Sequence, residues 1–298
     1  MKIAVAAYPF DWLGRWNDYV GKLRVWVRTG AEQGADLLVF PEHGALELAS
    51  LAGEQNARDL DRTVEALTAR IKDVDDLHAS LAREFKLHIC AASGPIRMRD
   101  VGVVNRARLF APDGSRGEQD KLVPSRFERE AWDMQPGAAA RVFDTALGRI
   151  GILIGYDVEF PLPARAMAEA GAEILLVPSS TDSPRGHARV RVGAMARALE
   201  NQCVVAQAVT LGNADWLSAA TRSTGAAAVY APADVGFPEN GVVAEGKSDA
   251  PGWVVGEVEL YEVHRAREEG AVRTFADWPL QGPAPVETVP LGAAVAEA

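Results

Sequence analysis

Three short stretches set ionisable side chains just beyond apolar runs, and strand-end loops are where the reactive groups of an α/β protein collect. Val39-Phe40-Pro41-Glu42 ends in a carboxylate. Asp120-Lys121-Leu122-Val123-Pro124 carries an ammonium, with the carboxylate of Glu128 close behind. Gly151-Ile152-Leu153-Ile154-Gly155-Tyr156-Asp157-Val158-Glu159-Phe160-Pro161 runs out of an apolar core into a polar turn. A carboxylate suits proton transfer, and a lysine ammonium suits the stabilisation of a developing negative charge. Alone, Glu42 or Lys121 reads as a surface charge; placed together behind buried strands, they read as parts of one site.

Other motifs fall away on context. Gly241-Val242-Val243-Ala244-Glu245-Gly246-Lys247-Ser248 matches G-x-x-x-x-G-K-[ST] letter for letter, but a phosphate loop follows a buried strand and opens a helix. Here Gly236-Phe237-Pro238-Glu239-Asn240 precedes and Asp249-Ala250-Pro251-Gly252 follows, so the match reads as a surface turn. The absence of G-x-S-x-G, H-E-x-x-H and paired C-x-x-C patterns removes the commonest serine-hydrolase, zincin and zinc-ribbon readings. His43, beside Glu42, either orients a carboxylate or is structural, the second being the commoner case. Arg185, Arg189, Arg191 and Arg197 read as a solvated or salt-bridged helix face in preference to an anion site.

The elements that must position these groups belong to a chain of 298 residues, 48% hydrophobic and 24% charged, with a formal net charge of −10. That is the balance of a globular protein with a sizeable core. The acidic excess argues against nucleic acid or an anionic membrane surface as partner, and no apolar run approaches the ~18 residues of a membrane span. Met1–Pro9 imitates a signal peptide, but its apolar run is too short for that and reads as a first strand. Cys90 and Cys203 sit in apolar runs and read as inert thiols of a cytoplasmic protein.

Short β-type runs alternate with longer helical stretches, the pattern of an α/β protein with buried sheets. Strands are expected at Ile3–Ala7, Asp36–Phe40, His88–Ser93, Ala107–Ala111, Arg149–Gly155, Glu173–Val177, Cys203–Thr210, Ala226–Tyr230 and Trp253–Leu260, with helices at Trp12–Gln33, Ala57–Phe85, Pro161–Ala170 and His187–Asn201. Pro112-Asp113-Gly114 is turn chemistry for a hairpin. Gly34–Pro41 and Gly171–Pro178 echo each other as helix end, glycine, strand and proline. Such a repeat suggests two pseudo-symmetric halves, each giving one sheet to a shared core with helices outside. Residues 1–281 read as one domain, and 282–298, rich in Pro, Ala, Val and Glu, as a C-terminal arm or disordered tail.

Taken in order and spacing, the three polar segments, with Arg197-Ala198-Leu199-Glu200-Asn201 before a late strand, resemble the nitrilase superfamily of carbon-nitrogen hydrolases. The resemblance covers Ile3 to about Leu260 and implies a four-layer α-β-β-α sandwich. It implies Glu42 as general base, Lys121 as the triad lysine and Glu128, in preference to Glu130, as the second glutamate. Lys121 and the Tyr156 amide would hold the oxyanion. Where the family reads I-C-Y-D, this chain reads Ile154-Gly155-Tyr156-Asp157: the nucleophile position is glycine, and neither Cys90 nor Cys203 replaces it. The chain as printed is therefore expected to be inactive. Engineered replacement of the cysteine is favoured, since the rest of the site survives; a natural pseudoenzyme acting as binder or scaffold is the alternative. The resemblance further implies a small amide as substrate, with a nitrile or N-carbamoyl compound as alternative, no metal or cofactor, and a homodimer or larger homo-oligomer formed through Pro161–Ala170 and His187–Asn201. Ser179, Ser180, Thr181, Asp182 and Trp132, placed in the loop after Glu128, are expected to line the substrate pocket, while Ser180 or Asp182 could instead cap the following helix.

Overall fold

In the first strand, Ile3, Val5 and Ala7 pack to one side and Ala4, Ala6 and Tyr8 to the other, all of them buried. A strand apolar on both faces must be covered on both faces, and this requirement organises the molecule. The computed structural model describes residues 1–289. Its strands are β1 (Lys2–Pro9), β2 (Leu37–Val39), β3 (His88–Met98), β4 (Gly102–Phe110), β5 (Arg116–Asp120), β6 (Val142–Thr145), β7 (Gly148–Ile152), β8 (Ile174–Ser179), β9 (Val204–Asn213), β10 (Arg222–Ser223), β11 (Ala228–Tyr230), β12 (Val242–Glu245) and β13 (Gly252–Glu257). Its α-helices are α1 (Trp16–Glu32), α2 (Glu54–Ala57), α3 (Leu60–Phe85), α4 (Arg126–Trp132), α5 (Pro161–Glu169), α6 (Pro184–Asn201) and α7 (Leu260–Glu269).

The pairings build two sheets. One runs β13-β1-β2-β3-β4-β5, the other β12-β11-β9-β8-β7-β6. They join where the end of β1, Ala7–Pro9, pairs in parallel with Val209–Leu211 of β9. The central strands of each sheet are parallel and the outer ones antiparallel. Three apolar clusters fill the three spaces between layers. Tyr8, Leu38, Phe40 and Ile89 pack against Leu23 and Val27 of α1 and Val64, Leu67 and Leu81 of α3. Ile3, Val5, Val39 and Leu109 of the first sheet meet Ile152, Ile174, Leu176 and Val204 of the second. Leu175, Val177, Val205 and Tyr230 pack against Ala164 and Met167 of α5 and Val190, Ala194 and Ala198 of α6. The result is the expected four-layer α-β-β-α sandwich, with β2 and β8 of the internal echo at matching places in the two sheets.

Several boundaries differ from expectation. The strand expected at Trp253–Leu260 spans Gly252–Glu257, and Leu260, read as its last residue, instead opens helix α7, which buries Val263 and Ala266. Trp132 is not in a loop: it ends α4, started by a capping box in which Ser125 Oγ accepts from Glu128 N at 3.4 Å and Glu128 Oε2 accepts from Ser125 N at 2.7 Å. The strand read through Gly155 stops at Ile152, and Gly155–Glu159 forms a 3-10 turn. Helix α6 starts earlier than expected because Ser183, not Ser180 or Asp182, is its cap, accepting from Gly186 N at 3.2 Å. The phosphate-loop look-alike lies on β12 and the turn beyond it, with no helix following. Residues 282–289 are exposed and without regular secondary structure, and the rest of the expected tail, 290–298, lies outside the described residues.

Candidate active site

Parallel strands end together, so the residues that follow them gather at one end of the sandwich. Glu42 follows β2, Gly155 follows β7, and Ser180–Asp182 follow β8. Lys121 follows the antiparallel β5 and is tied to β4 by its N–H, which donates to Asn105 O at 2.8 Å. These segments, with Glu128, Tyr156 and residues 218–222, line a cleft of about 740 Å³.

At its floor, Lys121 Nζ lies 2.6 Å from Glu42 Oε1 and 2.6 Å from Glu128 Oε2, all three side chains at most 3% exposed. Asn105 Nδ2 donates to Glu42 Oε1 at 3.1 Å and to Glu128 Oε1 at 3.0 Å. Ser180 N–H donates to Glu42 Oε2 at 3.1 Å, and His43 Nε2 stands 3.4 Å from Glu128 Oε1. Burial by itself would lower Lys121 and raise Glu128, but the charges outweigh it. The two carboxylates hold Lys121 above its ordinary value, and Lys121 with His43 holds Glu128 well below the usual carboxylate range. Glu42, His43 and Glu128 offer ligand atoms within 4.8 Å of one another, yet the cation between the two carboxylates is the lysine's own ammonium.

Gly155 sits against this network with φ +48°, a left-handed conformation in which a side chain is strained. A Cβ built there overlaps Glu42 Oε2 and comes within 2.8 Å of Glu42 Cδ. The Glu42 carboxylate lies directly against the glycine. Asp157 ties the two loops together: its carboxylate accepts from Ile154 N at 2.9 Å, Val123 N at 2.7 Å and Leu122 N at 3.2 Å. Burial pushes its pKa up to about 7, against the pull of Lys121 and those three N–H groups.

A family model described as carbon-nitrogen hydrolase matches residues 2–253. The chain belongs to the carbon-nitrogen hydrolase family. Over 93% of its length it is 31% identical to the "Probable hydrolase YhcX" of Bacillus subtilis, of which the match covers 53%, so the chain spans about half the length of that relative. Among solved structures, a carbon-nitrogen hydrolase from Helicobacter pylori superposes with a TM-score of 0.74 at 19% identity, covering 95% of this chain and 94% of that one. An amidase from Nesterenkonia sp. AN1, carrying a Glu-to-Gln and a Cys-to-Ala substitution and in complex with acrylamide, superposes with a TM-score of 0.63 at 22% identity, covering 90% and 94%.

Of the residues singled out in the sequence, Glu42, Lys121, Glu128, Gly155, Tyr156, Ser180, Thr181 and Asp182 line this one cleft. Glu130 points away and pairs with Arg126. Two pocket assignments need correction. Trp132 is 4% exposed and packs edge-on to His43, behind the floor, while Phe127 of α4 lines the cleft. Ser179 is buried in β8, its Oγ donating to Ala208 O at 2.7 Å. Asn105 and the bridging role of Asp157 were missed. The signal for Asn105 was a lone amide inside the apolar run Val103-Val104-Asn105, since a buried polar group must find partners. Cys90 and Cys203 are fully buried, and burial pushes both thiols up to about 12. The basic helix face is largely paired: Arg191 with Glu245, Arg197 with Glu200 and Arg189 with Glu159.

Proposed function

We propose that the cleft binds a small amide by the machinery of an amidase but does not carry out the covalent step. The observation that carries this reading is Gly155, the position of the family's cysteine, set against an otherwise complete Glu42–Lys121–Glu128 network. With a thiol at 155, Glu42 would take its proton, sulfur would attack the amide carbon, and Lys121 with the Tyr156 N–H would hold the oxyanion. Glu42 would return the proton to the leaving amine, and water would hydrolyse the thioester. Glycine has no atom for the attack, and loss of a covalent nucleophile costs several orders of magnitude in rate. An amidase of this fold in which both a Glu and a Cys are replaced is found in complex with acrylamide, which supports amide binding by a site that lacks the cysteine.

The maintained surroundings favour a replaced cysteine over the drift of a natural pseudoenzyme. In the same reading the protein is cytoplasmic, with thiols too buried to pair, and forms a homodimer through the exposed Leu162, Val192 and Leu199 of α5 and α6. No helix among the described residues is long and apolar enough to cross a membrane.

The test is ammonia release over simple amides, carbamoyl compounds and nitriles, with binding measured by calorimetry. The unchanged chain is expected to bind without release, Gly155→Cys to release ammonia, and Gly155→Ala to stay silent. Equal turnover by the unchanged chain and Gly155→Cys, or neither binding nor release by any of the three, would overturn the reading.

A further inference from the structure

We propose a second binding site, at the opposite end of the sandwich from the cleft, that takes a primary amine carried on an apolar or aromatic stem. The parallel strands β2, β3 and β7 start at that end, and the β4–β5 and β6–β7 turns come back to it. Between these two turns, one from each sheet, opens a cavity of about 560 Å³ whose lining includes His88, Leu109, Asp113, Ser115, Gly117 and Phe143. Strand alternation aims His88 into it. Ile89 packs toward α1 and α3 and Cys90 between the sheets, so His88 faces the space between the sheets. Leu109 and Phe143 pack in the same inter-sheet cluster. Gly117, paired with Leu109, leaves the room that the Phe143 ring takes, since a Cβ there would overlap it.

His88 is 4% exposed, and its ring has no hydrogen-bond partner among the described residues. A buried polar ring needs one, and the cavity is the side from which it can come. Burial lowers the His88 pKa below 6.5, against the pull of Asp113 and Asp36, so at neutral pH the ring offers a lone pair. Asp113 has no ion-pair partner among the described residues, and only its Oδ1 is engaged, by Ser115 N at 2.8 Å and Ser115 Oγ at 2.6 Å. Asp36 accepts from Lys2 N at 2.8 Å. The cations near the β4–β5 turn lie on its other side: Arg116, paired in register with Phe110, holds Asp75 at 2.7 Å, and Arg83 of α3 packs against Gly114. At the other lip, Asp144 is offset by Arg149, its cross-strand neighbour.

The cavity thus joins an apolar base to a neutral imidazole and a carboxylate that both accept hydrogen bonds. An ammonium supplies several donors and the missing positive charge, while its stem covers Leu109 and Phe143. A carboxylate ligand would meet Asp113 with like charge, and an alcohol would leave Asp113 without a counter-charge.

The experiment is isothermal titration of the unchanged chain, His88→Leu and Asp113→Asn with 2-phenylethylamine, 2-phenylethanol and 3-phenylpropanoate. The amine is expected to bind the unchanged chain about tenfold or more tighter than the alcohol, with the acid weakest. Both variants, checked for an unaltered melting temperature, are expected to lose that preference; if His88→Leu melts lower, Asp113→Asn alone decides. Equal binding of amine and alcohol, or a preference for the amine kept intact in a folded variant, would overturn the inference. So would amine binding that is lost in Glu42→Gln and kept in His88→Leu, which would put the amine in the cleft. Failure of all three compounds to bind would overturn it too, and would leave the amide reading of the cleft standing.

Discussion

Two buried lysine–glutamate clusters flank the turn after β2, and only one of them opens on a cleft. Glu47 is fully buried on the 3-10 segment Gly44–Ala52 and is closed in by protein donors: Tyr8 OH at 2.5 Å, Lys22 Nζ at 2.6 Å and Asp11 N at 3.3 Å. Lys22 completes its own set with Pro9 O at 2.7 Å and Asp11 Oδ2 at 2.9 Å. This cluster rivets the segment following Glu42 to the end of β1 and to α1. At the cleft, one ammonium serves two carboxylates, beside a glycine and a cavity. In each cluster one ammonium meets two carboxylates; at Lys22 the second, Asp11, is 56% exposed, whereas at Lys121 both are buried, and what separates a rivet from a site is that burial and the access of a ligand.

Their titration differs in sign as well. Burial outweighs Lys22 and Tyr8 and leaves Glu47 raised, whereas at Glu128 burial is outweighed by Lys121 and His43 and the group is lowered.

The largest expected effect comes from removing the shared cation. Lys121→Met leaves two buried carboxylates facing each other and should cost about 3–5 kcal/mol in urea unfolding. Lys22→Met leaves one buried carboxylate, Glu47, that still accepts from Tyr8 and can protonate, while Asp11 is 56% exposed, and should cost about 1–3 kcal/mol. Equal losses would erase the distinction drawn between the clusters. Next, Gly155→Ala should lower stability by about 1–3 kcal/mol, because its Cβ meets the pinned Glu42 carboxylate on a left-handed backbone; a neutral result in thermal unfolding would show that Glu42 swings aside freely.

The smallest effects lie in the pH dependence. Glu128 is held below the ordinary value of 4.5, so its stabilisation is full above that pH and is lost as the pH falls toward its folded-state value. Glu47 is raised above 4.5, so its contribution is full at acid pH and declines as the pH rises through its folded-state value. Glu128→Gln should flatten the acid limb of a stability–pH profile, and Glu47→Gln should remove a decline toward neutral pH, each by about 1 kcal/mol. Changes of the same sign in both variants would sink the contrast.

Much of the frame was legible in the chain. The glycine-strand-proline echo marked β2 and β8, and period-free apolar runs marked the parallel strands that end beside Glu42 and Gly155. The short helix α4 escaped because an apolar-periodicity reading needs several turns, although Ser125-x-x-Glu128 carried its capping box. Helix α7 escaped because its buried face is only Val263 and Ala266 amid charged residues.

Residue chemistry determined which groups could act and that a doubly covered sheet was required, and the resemblance to a family set Gly155 where that family has its cysteine. Only the tertiary structure decided which polar residues share a space. Asp157 joins the site because packing brings the Lys121 loop against the Gly155 turn, a contact that no local pattern encodes, whereas the β4–β5 hairpin that sets Asn105 beside Lys121 was marked by its Pro112-Asp113-Gly114 turn. It also decided that Trp132 turns inward and Phe127 outward, and that the Glu42 carboxylate fills the place of a side chain at 155. These outcomes depend on the packing of segments distant in sequence, where burial and satisfied hydrogen bonds, more than residue type, set where a side chain ends.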